Sequence, residues 1–249
     1  MAAIETDGLT KRYGSVAAVE GLDLAVDRGT IYGFLGPNGA GKTTTMRLLT
    51  GLTRPSDGTA TVAGVDVRDR DALGERIGYV PDTPPLYEKL TAREQLSAVA
   101  DVRGLDPEHA RERVSELFDR FGLAAADDRI ESYSKGMKQK TSVIQAIVHE
   151  PAVLFLDEPT SGLDPNAART LKAVVTELRD AGTAVFLSTH VLSVVDELAD
   201  TVGLLSDGRL LAEDEPEGLV ADRDGDTLED AFVELTTDAD LSARLRESP

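Results

Sequence analysis

Gly36-Pro37-Asn38-Gly39-Ala40-Gly41-Lys42-Thr43 decides the reading of this 249-residue chain. The stretch fits the pattern G-x-x-x-x-G-K-[ST], and the segments on either side give the pattern its meaning. Before it, residues 30–35 form a compact apolar run of strand length. After it, residues 42–51 read as a helix with Gly51 as its C-cap. A strand that turns through glycines into a helix is a cradle for phosphate. The glycines let backbone N–H groups turn inward onto phosphate oxygens, and the helix N-terminus adds a favourable dipole. Lys42 adds a point charge near the β- and γ-phosphates, the Thr43 hydroxyl is placed to bind Mg²⁺, and Thr44 completes the ATP-binding set. A chance match in a chain of this length is on the order of 1% from residue frequencies, so a glycine turn that merely precedes a lysine is the weaker reading.

A second stretch, Val153-Leu154-Phe155-Leu156-Asp157-Glu158, is an apolar strand ending in two carboxylates. Such a strand can direct Asp157 to the Mg²⁺ and leave Glu158 free to polarise water. Buried strands often end in acidic turns, so this stretch gains its weight from the phosphate loop upstream.

Around these two stretches the chain alternates strand and helix. Residues 19–26 and the β-branched run 59–67 read as strands, the first ended by the turn Asp27-Arg28-Gly29. Thr91 and Glu94 form a capping-box pattern that opens a helix to about Arg103. Asp106-Pro107 offers an N-cap and a proline at the first helical position of a second helix, which stops at Gly122. Residues 91–126 are thus a helical insert, followed by a helix over 135–149. Then come a strand at 152–156, a helix at 165–179, a strand at 183–188 and a helix at 191–199. Residues 202–205 and 209–212 flank Ser206-Asp207-Gly208, a hairpin pattern. The acidic stretch 213–226 reads as a solvated linker, and 227–235 as a short terminal helix. Alternation of this kind predicts an α/β fold with a mainly parallel sheet.

The ordered set of motifs resembles a nucleotide-binding subunit of the ABC transporter family over essentially the whole chain. The resemblance implies a P-loop NTPase core with an N-terminal antiparallel β subdomain and an inserted helical subdomain. It implies an ABC ATPase domain over 1–220, with its helical insert at about 91–150, and a short acidic helical extension over 221–249. Tyr133-Ser134-Lys135-Gly136-Met137 stands where the family has its signature sequence. Ser134 and Gly136 match the common leucine-serine-glycine-glycine-glutamine form, whereas Lys135 and Met137 do not. In the family this element reaches the ATP held by the opposite subunit. Ser161-Gly162-Leu163-Asp164 resembles the D-loop, which crosses the dimer interface. Ser188-Thr189-His190 resembles the switch-histidine region, so His190 would contact the γ-phosphate and hold the attacking water and Glu158, the general base. Tyr13 lies where the family stacks an aromatic on adenine, a contact of roughly 1–3 kcal/mol. Tyr79-Val80-Pro81-Asp82 matches the Q-loop, with Asp82 in place of the usual glutamine. Aspartate is shorter and charged, and can bind Mg²⁺ directly or through water. Residues 133–139 and 228–236 are similar to export-type subunits.

Composition bounds the partners. The formal net charge is −19, from 45 acidic and 26 basic residues. Such a surface repels phosphate backbones and anionic headgroups, which disfavours nucleic acid and direct membrane attachment. An acidic, lysine-poor surface suits solubility in concentrated salt, as in a halophilic microbe, or reflects a GC-rich genome with an acidic bias. With no cysteine, disulfides, cysteine-based metal sites and thiol nucleophiles are excluded, and three histidines make a histidine metal cluster a poor reading. No run is long enough to span a bilayer, and residues 1–7 lack the basic start and apolar core of a signal peptide. The expectation is a cytoplasmic protein at the inner face of the cell membrane. It would act as a homodimer with ATP and Mg²⁺, through an integral membrane permease supplied by a separate chain. A soluble ABC-family ATPase is the alternative. An unrelated phosphate-loop kinase is disfavoured, because it has no need for residues 133–137 or 188–190. Cargo choice lies in the membrane chain.

Overall fold

The computed structural model describes residues 2–221, 227–235 and 237. Strand β3 (Ile31–Leu35), which feeds the glycine loop, is buried at every position. A strand covered on both faces reads as a continuous apolar run rather than an alternating one. It lies between β8 (Ala184–Thr189) and β9 (Thr201–Ser206), parallel to both. Beyond β8 come β7 (Val153–Asp157) and β6 (Ile77–Val80), also parallel. Beyond β9, β10 (Arg209–Asp214) runs antiparallel across the expected hairpin. The six-stranded order is therefore β10-β9-β3-β8-β7-β6. The carboxyl ends of β3, β8, β7 and β6 share one edge, where ligands of open α/β sheets bind.

A second sheet of four antiparallel strands has the order β2-β1-β4-β5. Its strands β1 (Ala2–Tyr13) and β2 (Val16–Asp27) are far longer than short strands around 19–26. Register shifts break the period-2 pattern between them, which is why their extent is hard to read. The single strand expected over 59–67 is instead a hairpin of β4 (Asp57–Val62) and β5 (Val65–Asp66). Its turn residues, Ala63 and Gly64, have φ of 50° and 76°, the left-handed pair of a type I′ turn.

The helices largely follow their capping residues. They are α1 (Lys42–Leu49), α2 (Arg70–Arg76), α3 (Ala92–Val102), α4 (Pro107–Arg120), α5 (Lys135–Ile147), α6 (Pro165–Asp180), α7 (Leu192–Leu198) and α8 (Pro216–Ala221). A ninth, α9, covers 228–235. The capping box forms as read: Glu94 N donates to Thr91 Oγ1 at 3.1 Å, and Thr91 N donates to Glu94 Oε2 at 2.8 Å. Helix α2, capped by Asp69, was not anticipated. The C-cap of α1 is Thr50, with Gly51 one place beyond in the left-handed region at φ 69°.

Two apolar layers hold the parallel sheet. On one face Leu154, Leu156, Val185 and Leu187 pack against Leu96, Leu117, Phe118 and Ile144 of the helical segment. On the other, Tyr32, Phe34, Phe155 and Phe186 meet Ile4 and Leu22 of the antiparallel sheet and Met46 and Leu49 of α1. Phe186 is the hub, with ring centroids 5.2 Å from Tyr32, 5.1 Å from Phe34 and 5.8 Å from Phe155. Aromatic pairs at these separations contribute roughly 0.5–1.5 kcal/mol beyond the area they bury.

The stretch read as a linker, 213–226, is structured in its first part: β10 runs to Asp214, and α8 buries Leu219. Leu219 joins Leu228, Leu35 and Val202 in a third apolar cluster. Leu219, with the partly buried Val220 beside it, docks the segment despite its acidic neighbours. Residues 222–226 of that stretch, and residues 236 and 238–249 of the expected C-terminal extension, lie outside the described residues. Among the described residues no helix is long and apolar enough to cross a membrane.

Candidate functional site

The loop over residues 36–43 joins β3 to α1 through two glycines in the left-handed region, Gly39 at φ 86° and Gly41 at φ 110°. At Gly41 a Cβ would lie 2.4 Å from the Ala18 carbonyl oxygen, so the close approach of β2 also demands glycine. The loop is braced from outside. Gly208 N donates to Ala40 O at 2.8 Å, and Glu20 N donates to Gly208 O at 2.8 Å. The Asp207-Gly208 turn thus ties loop and antiparallel sheet together, a role its hairpin pattern did not announce. Lys42 is 7% exposed, and its ammonium donates to Gly36 O at 2.6 Å and Pro37 O at 3.0 Å. Burial pushes this ammonium below the usual lysine range, against the opposing pull of Glu158 and Asp157. A cleft of about 290 Å³ opens over the loop, lined by Ala18, Asn38, Gly39, Gly41, Lys42, Thr43 and Thr44, and by Asp82, Asp157 and Glu158.

The acidic wall comes from the neighbouring strands. Asp157 ends β7 in register with Ser188 of β8 and is 3% exposed. Burial pushes its carboxyl above the usual range, while the Ser188 and Thr43 hydroxyls pull it down and the charges of Glu158 and Asp82 raise it further. Carboxylate and hydroxyl oxygens side by side are the hard donors that Mg²⁺ takes. Among the described residues no three His, Cys, Asp or Glu side chains are grouped to hold an ion by themselves. A cation here therefore needs phosphate or water oxygens as further ligands, which is how Mg²⁺ usually binds in nucleotide sites.

Glu158 sits at φ 49°, a left-handed conformation that costs a non-glycine residue about 1–3 kcal/mol. Its surroundings hold it there. Glu158 N donates to Ser188 O at 2.9 Å, and Thr189 Oγ1 donates to Glu158 Oε2 at 3.0 Å. His190 Nδ1 lies 2.7 Å from Glu158 Oε1. The hydroxyl of Thr189 also accepts from Val191 N at 3.0 Å. Sequence reasoning gave Thr189 no role of its own, and nothing about its residue type marks it. The Glu158 side chain is 16% exposed and lines the cleft, whereas that of His190 is 60% exposed and meets it from the solvent side.

Other candidates stand apart. Tyr13 is 51% exposed at the tip of the β1–β2 hairpin and does not line the cleft. It pairs with Val16, two places before Ala18, and Lys11 Nζ lies 5.1 Å over its ring. Ser134 caps α5, accepting from Met137 N at 3.2 Å. None of Ser134, Lys135, Gly136 and Met137 lines the cleft of its own chain. In the loop from Ser161 through Gly162 and Leu163, Asp164 caps α6 by accepting from Asn166 N at 3.0 Å and Ala167 N at 3.1 Å. A larger groove of about 750 Å³ lies elsewhere, between Arg70, Tyr87, Gln95, Val102, Arg103 and His149, with no residue of the phosphate loop.

The family model described as ABC transporter matches residues 19–161. The daunorubicin/doxorubicin resistance ATP-binding protein DrrA of Streptomyces peucetius is 46% identical over 85% of this chain and 64% of its own length. The bacitracin transport ATP-binding protein BcrA of Bacillus licheniformis is 38% identical over 84% of this chain and 69% of its own length. The chain thus spans 64–69% of the length of these two relatives. A solved structure of an ATP-binding subunit of an ABC transporter superposes with a TM-score of 0.89 at 32% identity, covering 94% of this chain and 99% of that one.

The buried Asp157 carboxyl gives a stability prediction. Its folded value lies above its unfolded one, so the folded state holds the proton more firmly, and stability falls as pH rises through that interval. At neutral pH the ionised carboxylate is a net cost. Asp157→Asn therefore raises the thermal midpoint of the nucleotide-free protein at neutral pH, and the gap closes as pH falls into the carboxyl range. Calorimetry across pH checks this; a midpoint unchanged or lowered at neutral pH contradicts it.

Proposed function

The chain belongs to the ABC transporter family as an ATP-binding subunit, and from that premise we propose that it hydrolyses ATP with Mg²⁺ to power export through a separate membrane-spanning chain. The observation that carries this reading is the convergence of Lys42, Thr43, Asp157 and the Glu158–His190 pair at the carboxyl ends of β3, β7 and β8. The loop amides and Lys42 bind the phosphates, with Gly36, Pro37, Asn38, Gly39, Ala40 and Gly41 as the cradle. Thr43 and Asp157 are the residues that hold Mg²⁺, with Asp82 as a further carboxylate at the rim. When bound, the ion neutralises charge on the phosphate oxygens. Glu158 is the general base, and the 2.7 Å contact with His190 and the Thr189 bond fix which way its carboxylate faces. Tyr13 stacks on the adenine.

Two copies close head to tail as a homodimer with two ATP molecules between them. The exposed start of α5, away from the cleft of its own chain, supports a role for Ser134 and Gly136 on the ATP of the opposite copy. Residues 161–164 cross between the copies. The groove rimmed by Tyr87, 73% exposed, and Val102, 89% exposed, suits the membrane permease, and the chain works at the inner face of the cell membrane. Relatives named for daunorubicin/doxorubicin resistance and bacitracin transport support an antibiotic-like cargo. The charge of −19 with little lysine supports a salt-adapted host. A thermal midpoint that climbs with added KCl fits that proposal, and one that peaks at low salt opposes it.

Two experiments test the reading. Glu158→Gln slows ATP turnover by about 10²–10⁴-fold while ATP binding persists, because only the base is lost, whereas Lys42→Ala weakens nucleotide binding itself. Turnover near the parent rate removes Glu158 from its role. Affinity isolation of the tagged chain from its native cells, with mass spectrometry of what co-purifies, recovers a polytopic membrane protein. Recovery only from the soluble fraction overturns the coupling to transport.

A further inference from the structure

Where the common signature form has glycine, this chain has Lys135, and the side chain is engaged. Its Nζ donates to Ser161 Oγ at 2.9 Å. Its stem crosses Gly162 so closely that a Cβ there would lie 2.6 Å from Lys135 Cδ, and Gly162 holds φ 77°. The two backbones are also close, since a Cβ on Gly136 would lie 3.3 Å from Gly162 O. From Ser161 the connection continues. Ser161 N donates to Glu158 O at 3.0 Å, and the Glu158 carboxylate is held by Thr189 and His190. Two hydrogen bonds thus separate the first residue of α5 from the backbone of the general base in the same chain.

We propose that Lys135 is a positioning residue: by tying the start of α5 to the 161–164 loop, it makes the element that meets one ATP set the placement of Glu158 at the other. The proposal rests on the functional reading above. Glycine cannot make this tie, because it has neither stem nor donor. A lysine can span the loop only because Gly162 has no side chain in its path. Lys135 acts through Ser161 and Glu158 and touches no reacting atom.

The test compares the full chain with Lys135→Met, Lys135→Arg, Ser161→Ala and the Lys135→Met/Ser161→Ala double variant. Met keeps most of the stem and removes the donor. Steady-state kinetics give kcat and KM, a fluorescent ATP analogue gives affinity, and thermal melting reports the fold. Lys135→Met and Ser161→Ala each lower kcat roughly three- to tenfold, the span set by one solvent-exposed hydrogen bond of ordinary net strength, with affinity and thermal midpoint unchanged. The double variant is no slower than the slower single, because both remove the same bond. Lys135→Arg, which keeps a cationic donor, stays within about twofold of the parent. Losses that multiply in the double variant, or parent kcat in Lys135→Met, overturn the tie. A raised KM in Lys135→Met with Ser161→Ala silent also overturns it, since Lys135 would then act on phosphate directly. If the parent chain fails to hydrolyse ATP, the functional reading falls and the tie with it. If Glu158→Gln arrests turnover while Lys135→Met runs at the parent rate, the tie alone falls.

Discussion

Parallel pairing of β7 with β8 sets Asp157 opposite Ser188, and the chemistry of the cleft is built on that register. Side chains along a strand alternate between faces, so Asp157 shares the face of Phe155 and Val153, the one that meets α1. That face brings its carboxylate to Thr43 in the first turn of α1. A slip of one residue would carry Asp157 to the helical side and Leu156 into the cleft. The aromatic cluster guards against such a slip. Phe155 can reach Phe186, and Phe186 can reach Tyr32 and Phe34, only when β3, β8 and β7 are aligned as they are.

The cleft trades stability for charge. Lys42 and Asp157 are both almost wholly buried, and burial works against the charged form of each. Glu158 adds backbone strain at φ 49°. These costs are carried by a sheet buried on both faces and by the brace from the Asp207-Gly208 turn. A preorganised anion site needs such a scaffold, because charges that relax on their own lose the field a phosphate would feel. The same logic explains the bonds around Glu158: its carboxylate is held from two sides while remaining near solvent.

What was legible in the sequence is local, and what was missed is tertiary. The phosphate loop, the Thr91–Glu94 box and the Asp106-Pro107 start depend on residues within one turn of each other, so their spacing carries them. The alternation of apolar runs gave the parallel sheet, because each crossover needs a helix. Three features left no local trace. Ala63 adopts a positive φ that its residue type does not advertise, so β4 and β5 read as one strand. Leu219 docks onto Leu228 and Leu35 from within an acidic run whose composition suggests solvent. Thr189, Gly208 and Lys135 act through partners that are remote in sequence: Glu158, Ala40 and Ser161. At the site, the sequence identified residue types at the right strand ends. Which oxygen of Glu158 meets which partner required the structure.

We propose that each chain carries two complementary half-sites, a phosphate loop and a signature element, that complete each other only between copies. The most direct measurement mixes two variants, Lys42→Ala and Ser134→Arg, each inactive as a pure dimer because both of its sites contain one damaged half. A mixed dimer holds one site with both halves intact. ATP hydrolysis returns on mixing. Silence in the mixture, or full activity of Ser134→Arg alone, would contradict it.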